Sequence, residues 1–145
     1  MKDAWHAGNP PASLVVRNDA SELSGVSAWV DAWARHQRLP ATLVHHLDLC
    51  ATEVVTNIVS HAFEGAKAHR ISLSLGMDHD RVTLEVEDDG KPFDPRAVAP
   101  PPARTDLDDG PPGGWGLAIV RHFADELHYL RTAGRNRLTV VLRID

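Results

Sequence analysis

Cysteine, positive charge and long apolar runs are all scarce in this chain, and each scarcity narrows what the protein can be. A single cysteine, Cys50, cannot build an internal disulfide framework and fits a reducing compartment. It falls in the apolar stripe of a predicted helix, where a thiol packs far more often than it reacts. Fifteen Lys and Arg against 20 Asp and Glu leave a net charge of −5. That is the wrong sign for a protein whose main partner is nucleic acid, since such binding draws on clustered cations releasing counterions. Arg131, Arg135, Arg137 and Arg143 make a local basic region too sparse to reverse this. The N-terminal MKDAWHAGNPPASL lacks a signal-peptide core, and no run approaches the ~20 apolar residues of a membrane span. The expected location is the cytoplasm, with no membrane partner. Also missing are H-E-x-x-H, Cys-x-x-Cys, a P-loop and a G-x-S-x-G elbow. The nine histidines are scattered, and His45 and His46, being adjacent, cannot both face one metal from a helix.

What is present describes one ordinary globular domain. Its 145 residues suffice for a single core, with 43% hydrophobic and 24% charged residues. Residues 1–12 end in Pro10-Pro11 and are expected to be a flexible tail, leaving 13–145 as the domain. A strand is expected over Ser13–Arg17. Asp19 then caps a helix, with Glu22 reaching back in capping-box fashion. That helix carries Leu23, Val26, Val30 and Trp33 on one face, with Trp29 beside them as a core anchor. Pro40 opens a longer helix to about Phe63, striped by Leu43, Leu47, Cys50, Val54 and Ile58 and closed by Gly65. Arg70–Met77 and Arg81–Asp88 alternate with period two and read as a hairpin. Lys91–Pro112 holds seven prolines in 22 residues and is read as a lid-like loop. Gly114–Ala124 is expected to be helical, and Glu126–Thr132 with Asn136–Ile144 a last hairpin. The order predicts an α/β two-layer sandwich, a mixed, mostly antiparallel sheet with helices on one face.

Three signals are not explained by packing. On the long helix, Asn57 lies about 40° from Leu43, at the border of the apolar stripe, and Glu53 one turn before it. A half-buried amide and carboxylate need partners, because unpaired burial costs about 1–3 kcal/mol each. A hydrated divalent cation with phosphates would supply them, as would local backbone or solvent. Asp88 shares parity with Val82, Leu84 and Val86, so it faces inward at a strand end and needs a donor; an adenine amino group is one. Gly90 beside it allows close approach. Finally, Gly113-Gly114-Trp115-Gly116-Leu117 opens a helix, where free backbone N–H groups favour an anion. Thr139 on the last strand is a further candidate near phosphates, although Leu138, Val140 and Leu142 form the alternating set there.

In this order the signals resemble the GHKL ATP-binding superfamily, with its Bergerat fold. The correspondence lies in LDLCATEVVTNIVSHAF, EVEDDGKPFDP, GGWGLAIVRHFADEL and the closing GRNRLTVVLRI, and covers nearly the whole chain from about residue 13. Within the superfamily, these forms are similar to the anti-sigma-factor serine/threonine kinases. The resemblance implies that Asn57 holds Mg2+ on the ATP phosphates and Glu53 acts as general base. It implies that Asp88, with Gly90, binds adenine, and that Gly114, Gly116 and Leu117 contact the nucleotide under a lid of about residues 91–113. It further implies phosphorylation of a Ser or Thr on an anti-anti-sigma partner, sequestration of a sigma factor, and a homodimer. The lid's acidic Asp106–Asp109 segment offers no cation to the γ-phosphate, leaving Arg104 and Arg121 as candidates. A catalytically weak ATP-binding module acting by sequestration is the alternative reading.

Overall fold

Alternating apolar residues along five segments build one sheet, and helical stripes of matching width cover it. The computed structural model of the chain describes residues 11–61, 69–92 and 116–144. The strands are β1 (Ala12–Arg17), β2 (Arg70–Asp78), β3 (Arg81–Asp88), β4 (Glu126–Thr132) and β5 (Arg135–Arg143), in the order β1-β2-β3-β5-β4. The helices are α1 (Leu23–His36), α2 (Ala41–His61) and α3 (Gly116–Phe123).

Every pairing is antiparallel, so the sheet is not mixed among the described residues. The connections explain this. The β2–β3 and β4–β5 pairs are hairpins, and two helices between β1 and β2 return the chain to the end it left. The strands β3 and β4 do run in the same direction, but β5 lies between them.

One face of the sheet carries Ile71, Leu73, Leu75, Val82, Leu84, Val86, Leu138, Val140 and Leu142, all buried. Against them pack Val26, Val30 and Ala34 of α1, spaced four residues apart, and Leu43, Leu47, Cys50, Val54 and Ile58 of α2. Each fully buried Leu or Val of this set contributes about 1.5–3 kcal/mol. Trp29 and Trp33 pack partly buried against the same core, as expected of anchors. The opposite face is polar and, among the described residues, bare of helices, with Ser72, Ser74, Glu85 and Glu87 lining a shallow depression.

The start of α1 differs from a simple capping box. Asp19 Oδ1 accepts the Ser21 N–H (3.0 Å) over a single 3-10 turn, Ala20–Glu22. Glu22 reaches past Asp19 to the Arg17 N–H (2.9 Å), because the Asp19 N–H is already bonded to the Arg17 carbonyl (2.8 Å). The far end of α1 closes with Leu39 N–H on the Ala34 carbonyl and Arg38 N–H on the Arg35 carbonyl. This Schellman arrangement places Arg38 at φ 61°, a conformation that glycine usually supplies. Pro40 then accepts the first bond of α2, from Val44 N–H (3.0 Å). Gly65, the expected stop of α2, lies outside the described residues, as do residues 1–10 of the expected 1–12 tail, whereas Ala12 already begins β1. No helix among the described residues is long and apolar enough to cross a membrane.

Candidate functional site

The helix hairpin decides where Asn57 and Glu53 stand. Ser27 Oγ donates to Asp48 Oδ2 (2.9 Å), which fixes α1 against α2. Asn57 is nine residues past Asp48, about 13 Å along the axis. That carries it beyond the start of α1, to the level where β1 has ended. At this end of the sheet Arg17 pairs with Arg70, Ile71 with Asp88, and Asp88 with Asn136. The topology therefore brings Glu53, Asn57 and Asp88 to one end of the interface between helices and sheet.

Along α2 the polar side chains divide into two groups. Thr52 and Thr56 give their hydroxyls to backbone carbonyls one turn back, and Asp48 is bonded to Ser27. Asn57 is only 4% exposed, yet its amide makes no hydrogen bond among the described residues. Half-buried Glu53 makes none either. Asp48 Oδ1 is the one fully sealed side-chain oxygen without a partner among the described residues, so the Asn57 amide remains reachable from outside. Burial pushes the Glu53 carboxyl above the ordinary glutamate range. It does the same to Cys50, whose thiol is pushed up to about 12, first by burial and then by the Glu53 charge. Cys50 is thus an inert packing residue.

Asp88 is 2% exposed and faces the helix layer, as its parity with Val86 requires. Its Oδ1 accepts from the Gly90 N–H (2.8 Å) and from Asn136 Nδ2 (3.0 Å), whereas Oδ2 receives no bond among the described residues. Burial raises its pKa; the bonds from Asn136 and Gly90 oppose this, Asp89 adds to it and Arg131 works against it. Asn136 is itself buried, at 5% exposure. Its Nδ2 also donates to the Lys91 carbonyl (2.9 Å), and its Oδ1 accepts from the Tyr129 hydroxyl and from Arg131 (3.2 Å). Arg131 in turn holds the Gly90 carbonyl at 2.7 Å.

The glycine-led helix approaches from the side. Phe123 near the end of α3 stacks on His46 near the start of α2, at 4.0 Å between ring centroids. The end of α3 feeds β4, whose Glu126 pairs with Val141 at the opposite end of the sheet from Asp88. The two helices pack against each other and run antiparallel. Gly116 lies seven residues back from Phe123, about 10 Å nearer the Asp88 end and level with Glu53.

Several expected site residues fall elsewhere. Thr139 is paired with Glu85 and His128 in the polar row of the sheet. Buried Leu138 and Val140 take the inward positions on either side, so parity turns Thr139 away from Asp88. Gly114, the Leu117 side chain, Arg104 and nearly all of the 91–113 segment lie outside the described residues. Arg121 is exposed on α3 and is already engaged in an interaction. Sequence reading marks neither Asn136 nor Tyr129, and places Arg131 only in the local basic region. The available signal was parity, since Asn136 alternates with Leu138 and Val140 and so had to turn inward.

No cluster of three or more His, Cys, Asp or Glu side chains could hold a metal among the described residues. A Mg2+ that keeps waters and phosphate oxygens needs none; one amide oxygen and a neighbouring carboxylate suit it. The unbonded Asn57 amide with Glu53 one turn away has that donor chemistry.

Comparison with known proteins bears on the family and the fold. Over 112 residues the chain is 41% identical to the serine/threonine-protein kinase BtrW of Bordetella bronchiseptica, covering 77% of this chain and 79% of that protein. It is 30% identical over 87 residues to the anti-sigma F factor of Thermoanaerobacter sp., covering 60% of each. The fold matches a crystal structure of the RsbU and RsbW domains of Rv1364c from Mycobacterium tuberculosis, with TM-score 0.64 and 19% identity, over 93% of this chain and 32% of that longer one. Residues 16–142 match the histidine kinase-like ATPase domain, and the chain belongs to that family.

Proposed function

We propose that the protein is an ATP-dependent serine/threonine kinase of the anti-sigma type. It phosphorylates a Ser or Thr hydroxyl on an anti-anti-sigma partner and, in its other state, sequesters a sigma factor. The observation that carries this is the pair of unbonded polar groups on α2, Asn57 and Glu53, at the same end of the domain as the inward carboxylate of Asp88. Asp88 Oδ2 accepts the adenine 6-amino group while Gly90 leaves room for the ring. Asn57 supplies an amide oxygen to Mg2+, which when bound neutralises charge on the transferring phosphoryl group. Gly116, at the head of α3, offers backbone N–H to phosphate. Glu53 takes the proton of the attacking Ser or Thr hydroxyl while that hydroxyl's oxygen bonds to the γ-phosphorus and the bond from phosphorus to the bridging oxygen of ADP breaks. Its raised pKa suits a proton acceptor better than an ordinary carboxylate.

A homodimer in the cytoplasm belongs to the same reading. One row of the bare sheet face runs Val15, Ser72, Glu87, Arg137, Leu130. Its ends are 57% and 49% exposed apolar residues, with a Glu87–Arg137 ion pair (2.8 Å) between them. Such a row can face a second copy of itself. Light scattering of Leu130→Glu with Val15→Glu should give a monomer where the unaltered protein is a dimer.

The kinase reading is tested by mixing the purified protein with Mg2+, radiolabelled ATP and candidate antagonist proteins. Label on a Ser or Thr of the partner is the expected result. ATP binding with no transfer to any of them would leave the sequestering module instead.

A further inference from the structure

We infer that Asn136 aims Asp88 at the nucleobase, as a positioning residue for adenine recognition that Tyr129 and Arg131 hold in place. The inference rests on the reading of Asp88 given above and assigns a role to a residue of β5. An isolated aspartate rotates about its last torsion and can offer either oxygen. Here two donors, the Gly90 N–H and Asn136 Nδ2, both occupy Oδ1, so Oδ2 alone is left to a ligand.

The amide cannot serve equally well in reverse. Its NH2 donates to Asp88 and to the Lys91 carbonyl, and its oxygen accepts from Tyr129 and Arg131. Flipped, it would set an oxygen against a carboxylate and an NH2 against a guanidinium, two donor–acceptor conflicts at once. The same residues also fix the backbone where a base would approach, since Arg131 holds the Gly90 carbonyl and Asn136 the Lys91 carbonyl. Three side chains from two neighbouring strands thus converge around one carboxylate and one glycine. A surface Asp-Gly turn requires no such arrangement.

The test compares Mg–ATP with Mg–ITP, which carries a 6-oxo group in place of the 6-amino group, by calorimetry on the full chain. The unaltered protein should prefer ATP. Asn136→Ala and the isosteric Asn136→Asp should each lower ATP affinity about tenfold, the loss expected for one charge-assisted hydrogen bond. Affinity for ITP should hardly move, and KM for ATP should rise while kcat is kept. In Asn136→Asp, ATP affinity should recover partly as the pH is lowered, when one of two facing acids becomes a donor.

An unaltered protein that binds neither nucleotide, or both equally, would remove Asp88 from base recognition. An unaltered protein that prefers ATP, with folded variants keeping the same ATP-to-ITP ratio, would overturn the role of Asn136 alone. If both Asn136 variants fail to fold, Tyr129→Phe removes one donor to the amide without touching Asp88. It should cut the ratio about threefold, in keeping with the loss of one neutral hydrogen bond, and an unchanged ratio would count against the proposal.

Discussion

Glu53, Asn57 and Asp88 are each placed where folding alone would not put them. Glu53→Gln should retain Mg–ATP binding and lose about 10²–10⁴ of the transfer rate, the usual contribution of a positioned base. Equal loss of binding and transfer would remove it from that role. Because burial raises its pKa, the acid limb of kcat should lie above the ordinary glutamate range and vanish in the variant. Asp88 gives a stability test of opposite flavour. Its folded-state pKa lies above its unfolded value, so it favours the folded state at low pH and this contribution is lost as pH rises through the folded value. Asp88→Asn should therefore raise Tm at neutral pH, with the gain shrinking toward pH ~4, where the unfolded carboxyl also holds its proton. The same variant should lose ATP affinity. A lowered Tm at neutral pH would mean that the carboxylate is held by more than the bonds described. Glu87 acts in the other direction. Burial pushes it up, but Arg137 and then Arg135 outweigh that and hold it below the usual range, so its contribution is lost as pH falls.

One turn and one helix–helix contact show how the elements were closed and where they can be improved. The β4–β5 hairpin turns through Ala133 at φ 52° and Gly134 at φ 75°, both positive as a type I′ turn requires. Alanine tolerates that region poorly, and Asn-Gly is the preferred pair. Ala133→Asn should therefore stabilise the domain by about 0.5–1 kcal/mol in urea unfolding; a lower midpoint would contradict the assigned turn. The register of α1 on α2 depends on Ser27, because Asp48 already carries one sealed oxygen without a partner among the described residues. Ser27→Ala leaves the carboxylate without its remaining side-chain bond and should cost about 1–3 kcal/mol.

For the molecule as a whole, the periodicities that defined the elements were strong enough to place every strand within a few residues and to put Asp88 inside. They failed where a side chain's role depends on its partner. Thr139 matched the closing motif by type but has the wrong parity, while Asn136 had the right parity and no motif to mark it. Direction within the sheet was also hidden, since the sequence does not show that β5 separates β3 from β4. The convergence of α2, β3 and α3 on one end follows from the helix hairpin, and its register came only from the Ser27–Asp48 and His46–Phe123 contacts. The central claim is a divalent-cation-dependent nucleotide site built on Asn57 at the Asp88 end of the sheet. Calorimetric titration of the unaltered protein and of Asn57→Ala with ATP, each with and without Mg2+, tests it most directly. Mg2+ should strengthen ATP binding to the unaltered protein and have little effect on the variant; equal strengthening of both, or no heat from either, would contradict the account.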